Sequence, residues 1–181
     1  GNASDRDVKV PGDLRAHRVV VHPRPERWIA AGWMSPLDGR VKITPHVRDA
    51  HDRCGNGVSW SLTLHRGSLT RVLRSANLDL GKVATIAPVP ELEVLRGDLI
   101  SVTIGARDNS HICDLTEIDL SIEELGAKNR KWSLAGDCAD DMQAGNPHPD
   151  QHGNLATWHF YGGMNDQRKQ GSGIVPGSLV E

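Results

Sequence analysis

The chain has 181 residues, of which 38% are hydrophobic and 24% charged, and its formal net charge is −2. This composition is typical of a globular domain and excludes a chain that is disordered throughout. The small net charge argues against a basic surface for nucleic acid. No apolar run approaches the roughly 20 residues that a membrane helix needs. We therefore expect neither nucleic-acid binding nor membrane insertion.

Changes in composition along the chain predict three parts. Residues 1–17 are polar without a regular period and are expected to form a flexible N-terminal segment. Residues 18–165 are expected to form a single β-sandwich module. Residues 166–181, which include the run from Gly171 to Ser178, are expected to form a linker to a further domain. We therefore interpret the chain as a module of a longer protein.

Short alternating runs between residues 19 and 123 predict the fold class. In the clearest run, residues 58–64, valine, tryptophan and leucine alternate with serine and threonine, so one face is apolar and the other is hydroxylated. Turn-forming residues separate the runs, and Arg66-Gly67-Ser68 predicts a hairpin. The pattern predicts an all-β protein, an antiparallel β-sandwich of the jelly-roll type. A short helix at about 134–144 and a long irregular C-terminal loop complete the prediction.

The three cysteines leave the redox state open. Cys54, Cys113 and Cys138 allow three pairings, or none, and their spacing does not choose among them. No pair has Cys-x-x-Cys spacing, so this segment has no attached haem, zinc ribbon or thioredoxin-like site.

The aromatic residues suggest a carbohydrate-binding role. Five of the seven aromatic residues are tryptophan. Because a flat ring can stack on the apolar face of a sugar, we predict that exposed rings near the C-terminal end form a binding platform. The predicted platform residues are Trp158, Tyr161 and Trp132. Three neighbouring polar residues are predicted to hydrogen-bond the sugar hydroxyls: His148, Asp150 and Asn154.

Acidic residues in and beside the loops suggest a structural calcium ion. Calcium takes six to eight oxygen ligands, often from loops at the rim of a sheet. We predict Asp119 and Asp114 as its ligands; Asp119 could instead cap a nearby backbone. A transition-metal site at His148, Asp150, His152 and His159 is a weaker alternative. No nucleophile motif is present, and we predict that the chain is not an enzyme.

Two regions of the chain, its body and its tail, each resemble a known class of protein. Gly32 to Val41, Gly55 to Leu62, Gly97 to Val102 and Ile118-Asp119-Leu120 resemble segments of jelly-roll carbohydrate-binding modules. The tail, with residues 146–150, 153–154, 158–161 and 176–179, resembles a region of large planctomycete-type exported proteins that also contain c-type cytochrome segments. The resemblance implies export, a multidomain parent, calcium at Asp119 and a polysaccharide ligand.

The sequence thus predicts a non-catalytic carbohydrate-binding module of an exported, periplasmic or extracellular, multidomain protein. Its expected partners are a polysaccharide or oligosaccharide and the other domains of the same parent chain. Two alternatives remain. One is a structural or interaction domain that spaces redox or catalytic partners, which requires that every tryptophan is buried. The other is a metal-dependent or glycosidic hydrolase, which requires an acidic cleft.

Overall fold

The chain folds as an antiparallel β-sandwich, seen in a computed structural model that describes residues 1–164. Ten strands and one short helix follow one another along this part of the chain, and two five-stranded sheets result. The elements are β1 (Val19–Val21), β2 (Arg27–Met34), β3 (Gly39–Asp49), β4 (Val58–Arg66), β5 (Leu69–Leu78), β6 (Val89–Val94), β7 (Leu99–Ala106), β8 (Thr116–Glu124), β9 (Lys131–Ser133), α1 (Leu134–Cys138) and β10 (Trp158–Met164). The predicted all-β fold class is confirmed.

The two sheets interleave strands that are distant in sequence. The first sheet has the order β1-β8-β3-β6, and β9 pairs with β8 beyond the end of β1. The second sheet has the order β10-β2-β7-β4-β5. The predicted hairpin is confirmed, because β4 and β5 pair across Gly67 and Ser68, and Gly67 has a φ of +56°. This left-handed conformation favours glycine.

Alternation along the strands fills the space between the sheets. Val58, Trp60, Leu62 and Leu64 of β4 all belong to the core, as the period of two predicts. The same core contains the odd-numbered aliphatic residues of β3 and the even-numbered ones of β7 and β8. The intervening side chains therefore lie on the outer faces of the sheets.

The predicted helix is shorter than expected. It covers only Leu134–Cys138, with Ser133 as N-cap accepting a hydrogen bond from the N–H of Gly136. The spacing of Leu134, Cys138 and Met142 suggested a helix to residue 144. That extension is wrong, and one reason is that Gly136 weakens so short a helix. Another is that the carbonyl of Asp141 accepts from the ring of His148.

The N-terminal segment makes specific contacts that the expectation of a flexible start did not include. Asn2 is buried and exchanges backbone hydrogen bonds with Arg18, and the N–H of Asp13 donates to the carbonyl of Ala50. Arg48 on the outer face of the first sheet holds Asp13 through a side-chain bond of 3.0 Å. Residues 1–18 thus lie against the sheet.

Two further expectations concern the ends and the membrane. The proposed linker, residues 166–181, lies outside the described residues. Within residues 1–164, no helix has the length and apolar character needed to cross a bilayer.

Candidate functional site

The predicted aromatic platform is buried. Trp158 and Tyr161 have no exposed surface and Trp132 is 1% exposed. Trp158 points into the core from β10, and its indole N–H donates to Oδ2 of Asp137 at 2.8 Å. Tyr161 points to the opposite face, where its hydroxyl bonds Oγ of Ser101. The prediction that these rings are exposed is wrong, because each strand alternates them into packed environments.

Asp150 organises the C-terminal loop rather than facing solvent. Its Oδ2 accepts from the indole N–H of Trp132 at 2.6 Å, from Asn154 Nδ2 at 2.7 Å and from Thr157 Oγ1 at 3.1 Å. Its Oδ1 accepts from the backbone N–H groups of His152 and Asn154. Burial alone would raise the pKa of Asp150, but these donors hold it below its ordinary value. The carboxylate is therefore occupied by the protein itself.

His148 is also used internally. It is 3% exposed, and its two ring nitrogens lie 2.7 Å from the carbonyl oxygen of Pro149 and 2.8 Å from that of Asp141. Neither nitrogen is free for a sugar hydroxyl. The predicted hydrogen-bonding group of His148, Asp150 and Asn154 is brought together by the structure, but as a scaffold for the loop. Its predicted role as an open ligand surface is wrong.

The two predicted calcium ligands lie in different environments. Asp119 Oδ1 accepts from the backbone N–H groups of Leu120 at 2.8 Å and Ala135 at 3.0 Å, so it caps the start of the segment that contains α1. Asp114 is 2% exposed, and among residues 1–164 neither of its carboxylate oxygens has a hydrogen-bond partner. Burial, and then the charge of Asp49, raise the pKa of Asp114 to about 7.

A disulfide lies beside Asp114. Cys54 and Cys113 are joined with their Cα atoms 5.6 Å apart, which decides the pairing that the sequence left open. A ring nitrogen of His51 and the two sulfurs lie within 4.8 Å of one another, a spacing that could suit a metal ion. However, the sulfurs are bonded to each other and are not thiolate ligands. Cys138 is a free thiol in the core, and burial raises its pKa.

The arginines around the β4–β5 hairpin do not act as one patch. Arg66 donates through Nε and Nη2 to the buried carboxylate of Asp98, with Nη2 at 2.7 Å from Oδ2. Arg71 and Arg74 lie on β5, which is the edge strand of the second sheet. Leu69 and Val72 of the same strand are each 58% exposed. The three arginines therefore lie in different environments.

Hydroxyl groups line the part of the outer face of the second sheet that β5, β4 and β7 form. Trp28, Ala30 and Leu99 form a small apolar cluster with Tyr161 on the β2 and β10 side of the same face. We call the hydroxylated part, with the polar side chains beside it, the hydroxyl face. Register places Ser61 opposite Thr103 and Thr63 opposite Ser101, while Ser61 also pairs with Ser75 on β5. The exposed or half-buried members of the hydroxyl face are Ser59, His65, Thr70, Ser75 and Asn77. Its buried members are Ser61, Thr63, Ser101, Thr103, His159 and Tyr161.

Two imidazoles lie among these hydroxyls. His65 lies between Thr63 and Thr70, with its ring nitrogens 3.0 Å and 3.1 Å from their hydroxyl oxygens. His159 is 5% exposed, and its Nδ1 has no hydrogen-bond partner within residues 1–164. Burial lowers the pKa of both rings, which favours the neutral form that can donate and accept.

Comparison with known proteins does not identify a function for these residues. The chain matches no protein-family model, no curated protein and no solved structure. Its resemblance to jelly-roll carbohydrate-binding modules stays a prediction. Any function must therefore be inferred from the residues of the chain itself.

A sequence signal for the hydroxyl face was present. Residues 58–64 show a hydroxylated face, and Ser101 and Thr103 alternate with Ile100, Val102 and Ile104 in the same way. What the sequence did not provide is the pairing of β4 with β7, which brings the two hydroxyl rows side by side. Attention to the aromatic residues drew the predicted site to the C-terminal loop instead.

Proposed function

We propose that this chain is a non-catalytic module that binds a carbohydrate on the hydroxyl face of its second sheet. The observation that carries the proposal is the register of β4 with β7 and β5, which sets serine and threonine side chains beside one another on three adjacent strands. Each hydroxyl both donates and accepts a hydrogen bond, as a sugar hydroxyl does.

Spacing and exposure suggest how a sugar would approach. Neighbouring strands are about 4.8 Å apart, and alternate residues on one strand about 7 Å apart, so the hydroxyls of β4 and β7 form a regular grid. A register shift between Leu62 and Thr63 interrupts this grid toward β5. Thr70, Ser75 and Asn77 on β5 are exposed. The hydroxyl residues farther into the sheet are buried, namely Ser61, Thr63, Ser101 and Thr103. A sugar would thus contact the β5 side first and meet His65 between the two rows.

Binding of this kind is expected to be weak. Hydrogen bonds to a sugar replace hydrogen bonds to water, so each adds only about 0.5–1.5 kcal/mol. The buried positions of Trp158 and Tyr161 remove the stacking contribution that exposed rings would give. A polysaccharide that contacts several hydroxyls at once fits this surface better than a single sugar.

Affinity electrophoresis with a panel of plant and algal polysaccharides tests the proposal. We expect at least one polysaccharide to retard the wild type. Thr70→Val removes an exposed hydroxyl of the site and should weaken retardation by about 3- to 10-fold. Thr44→Val is the matched control, since Thr44 is an exposed threonine on the outer face of the first sheet. Retardation that falls equally in both variants would contradict the proposed location.

The wider setting of the module is part of the same proposal. Export fits the Cys54–Cys113 disulfide, because such bonds persist in oxidising compartments. We infer a periplasmic or extracellular multidomain parent, whose other domains carry its chemistry.

One observation favours a second function, a structural or interaction domain that spaces those other domains. All five indoles are buried, with exposures of 0–5%. This function requires that no polysaccharide in the panel retards the wild type. In that case a pull-down with the neighbouring domains of the parent protein, using the exposed β5 strand as the surface to mutate, becomes the relevant measurement.

A further inference from the structure

Buried oxygen atoms without a hydrogen-bond donor occur on the two loops that the disulfide joins. Among residues 1–164, three buried side-chain oxygens have no hydrogen-bond donor: both carboxylate oxygens of Asp114 and the amide Oδ1 of Asn56. The other buried atoms without partners in this range are ring nitrogens elsewhere. A buried carboxylate with neither a donor nor a cation is costly, so this cluster calls for an explanation.

The disulfide brings the two loops that carry these oxygens together. Cys54 and Cys113 are adjacent in sequence to Gly55 and Asp114, and Asn56 donates its Nδ2 hydrogen bond to the carbonyl of Arg107 at 3.0 Å. The two loops are therefore held at fixed positions by a covalent bond and by an amide contact. The second of these contacts uses the nitrogen of Asn56 and leaves its oxygen available.

Gly55 lets two oxygens approach its backbone closely. A Cβ atom at Gly55 would lie 2.6 Å from the carbonyl oxygen of Ile112 and 3.4 Å from Oδ1 of Asp114. Both oxygens therefore lie beside the same face of the glycine, at most 6.0 Å (2.6 + 3.4) from one another. Gly55 has a φ of +104°, so glycine is favoured there by conformation as well as by space.

The charged side chains nearest to these oxygens are the carboxylates of Asp49 and Asp114. Asp49 lies close enough for its charge to act on Asp114, and its own oxygens accept from the N–H groups of His51 at 2.7 Å and Gly81 at 3.0 Å. The guanidinium that contacts the loop, that of Arg107, is turned to Asp79 at 2.8 Å and to the Asn56 carbonyl. Within residues 1–164, Asp49 and Asp114 thus have no positively charged side chain in direct contact.

We propose that the oxygens beside Gly55 form a calcium site, with Asp114 as its principal ligand, the Ile112 carbonyl and Asn56 Oδ1 as further oxygen donors, and Asp49 as a nearby negative charge. Calcium accepts carboxylate, amide and backbone oxygens in flexible geometry and completes its shell with water. Softer metals prefer nitrogen or thiolate ligands, and here the sulfurs are held in the disulfide. The site does not include Asp119, whose Oδ1 accepts from the backbone N–H groups of Leu120 and Ala135 at the start of the segment that contains α1.

Calorimetry and thermal unfolding of the full chain, freed of metal with a chelator and titrated with calcium chloride, test this site. We expect a single calcium ion to bind with a Kd on the order of 10⁻⁴ M and to raise the unfolding temperature. Asp114→Asn should weaken binding by at least about 10-fold, because affinity depends on ligand charge. Asp52→Asn, an exposed acid of the same loop, is the matched control and should stay within about twofold of the wild type.

Loss of binding in Asp114→Asn can be separated from loss of folding. Without calcium, the variant removes a buried unpaired charge and should unfold at a temperature no lower than the wild type. Absence of both heat and a temperature shift in the wild type at millimolar calcium would overturn the proposal. Equal binding by Asp114→Asn, or equal affinity for magnesium, would overturn the calcium assignment as well. None of these outcomes depends on carbohydrate binding.

Discussion

The indole N–H of Trp132 donates a 2.6 Å hydrogen bond to Oδ2 of Asp150, which ties β9 to the loop before β10. The same indole packs edge-on against Trp33 at 5.2 Å between ring centres. Trp158 has an analogous bond to Asp137. The Trp132–Asp150 bond thus anchors a loop rich in proline and glycine to the sandwich, and the Trp158–Asp137 bond joins β10 to α1.

Replacing Asp150 should destabilise this loop and the protein. Asp150→Asn keeps the size of the side chain but turns one acceptor oxygen into a donor, which faces N–H or O–H groups that also donate. Because hydrogen bonds to a charged group contribute about 1.5–3 kcal/mol, we expect a loss of about 3 kcal/mol in the free energy of unfolding. Urea denaturation measures it. Asp52→Asn, at an exposed position, should change stability by less than about 0.5 kcal/mol, and an equally small loss at Asp150 would refute the anchoring role.

Tryptophan fluorescence should be shielded from solvent. Every indole is at most 5% exposed, so acrylamide should quench the native protein far less than the urea-unfolded chain. A Stern–Volmer titration under both conditions is sufficient. Quenching of the native state as strong as that of the unfolded chain would contradict the burial of the indoles. It would favour an exposed indole as the sugar platform.

A buried ion pair joins β3 and β8 on the outer face of the first sheet. Arg48 Nη2 lies 2.6 Å from Oε2 of Glu117, a side chain with no exposed surface. Arg48→Met leaves that carboxylate without its main partner and should cost about 3–5 kcal/mol. Lys42→Met, which breaks a more exposed pair on the same strand at 3.7 Å, should cost less than about 1 kcal/mol. The double variant Arg48→Met/Glu117→Leu should recover part of the loss, and strict additivity in denaturation would contradict the coupling.

The shifted pKa of Glu117 predicts how the stability of the fold depends on pH. Burial alone would raise its pKa, but hydrogen bonds from His46 and Arg48 and the charges of Arg48 and Arg15 lower it below the ordinary 4.5. A carboxyl whose pKa is lower in the folded state stabilises the fold above its unfolded pKa. This contribution is lost as pH falls from about 4.5 through the folded value. Glu117→Gln should flatten the acid limb of a stability–pH curve, and an unchanged slope would exclude this carboxyl as a cause.

The disulfide should contribute substantially to stability. Cys54 and Cys113 are 59 residues apart in sequence, and closing a loop of that length stabilises a fold by about 4 kcal/mol in the chain-entropy account. Denaturation with and without a reducing agent measures the difference. The variant Cys138→Ala controls for thiol chemistry elsewhere. If calcium binds as proposed, reduction should also weaken its affinity, since the two loops are no longer joined.

The sequence predicted the sandwich because alternation is a local property. Val58 and Trp60 face inward whatever strand lies beside them, so the fold class could be inferred from a period of two. The hairpin at Gly67 was equally local. The helix failed at its end, since a carbonyl contact with His148 replaces the next turn.

The candidate site was harder to predict than the fold, because the type of a residue does not determine whether its side chain is exposed. Tryptophan serves as well in a core as on a sugar platform, and only the pairing of β10 with β2 buries Trp158 opposite Trp33. Asp114 was singled out as a calcium ligand, but its lack of partners depends on a disulfide that the sequence left open. Predictions that needed non-local pairing were thus the ones that failed or stayed incomplete.

The edge strand β5 bears on the behaviour of the protein at high concentration. An exposed strand edge with Leu69 and Val72 in solvent would ordinarily invite a second copy to extend the sheet. Arg71 and Arg74 interrupt this apolar run, and in an antiparallel alignment of two such strands their like charges would approach one another. Electrostatic repulsion therefore disfavours the pairing of two β5 edges into a fibril-like sheet. Removing either arginine should lower the solubility of the protein more than its folding stability.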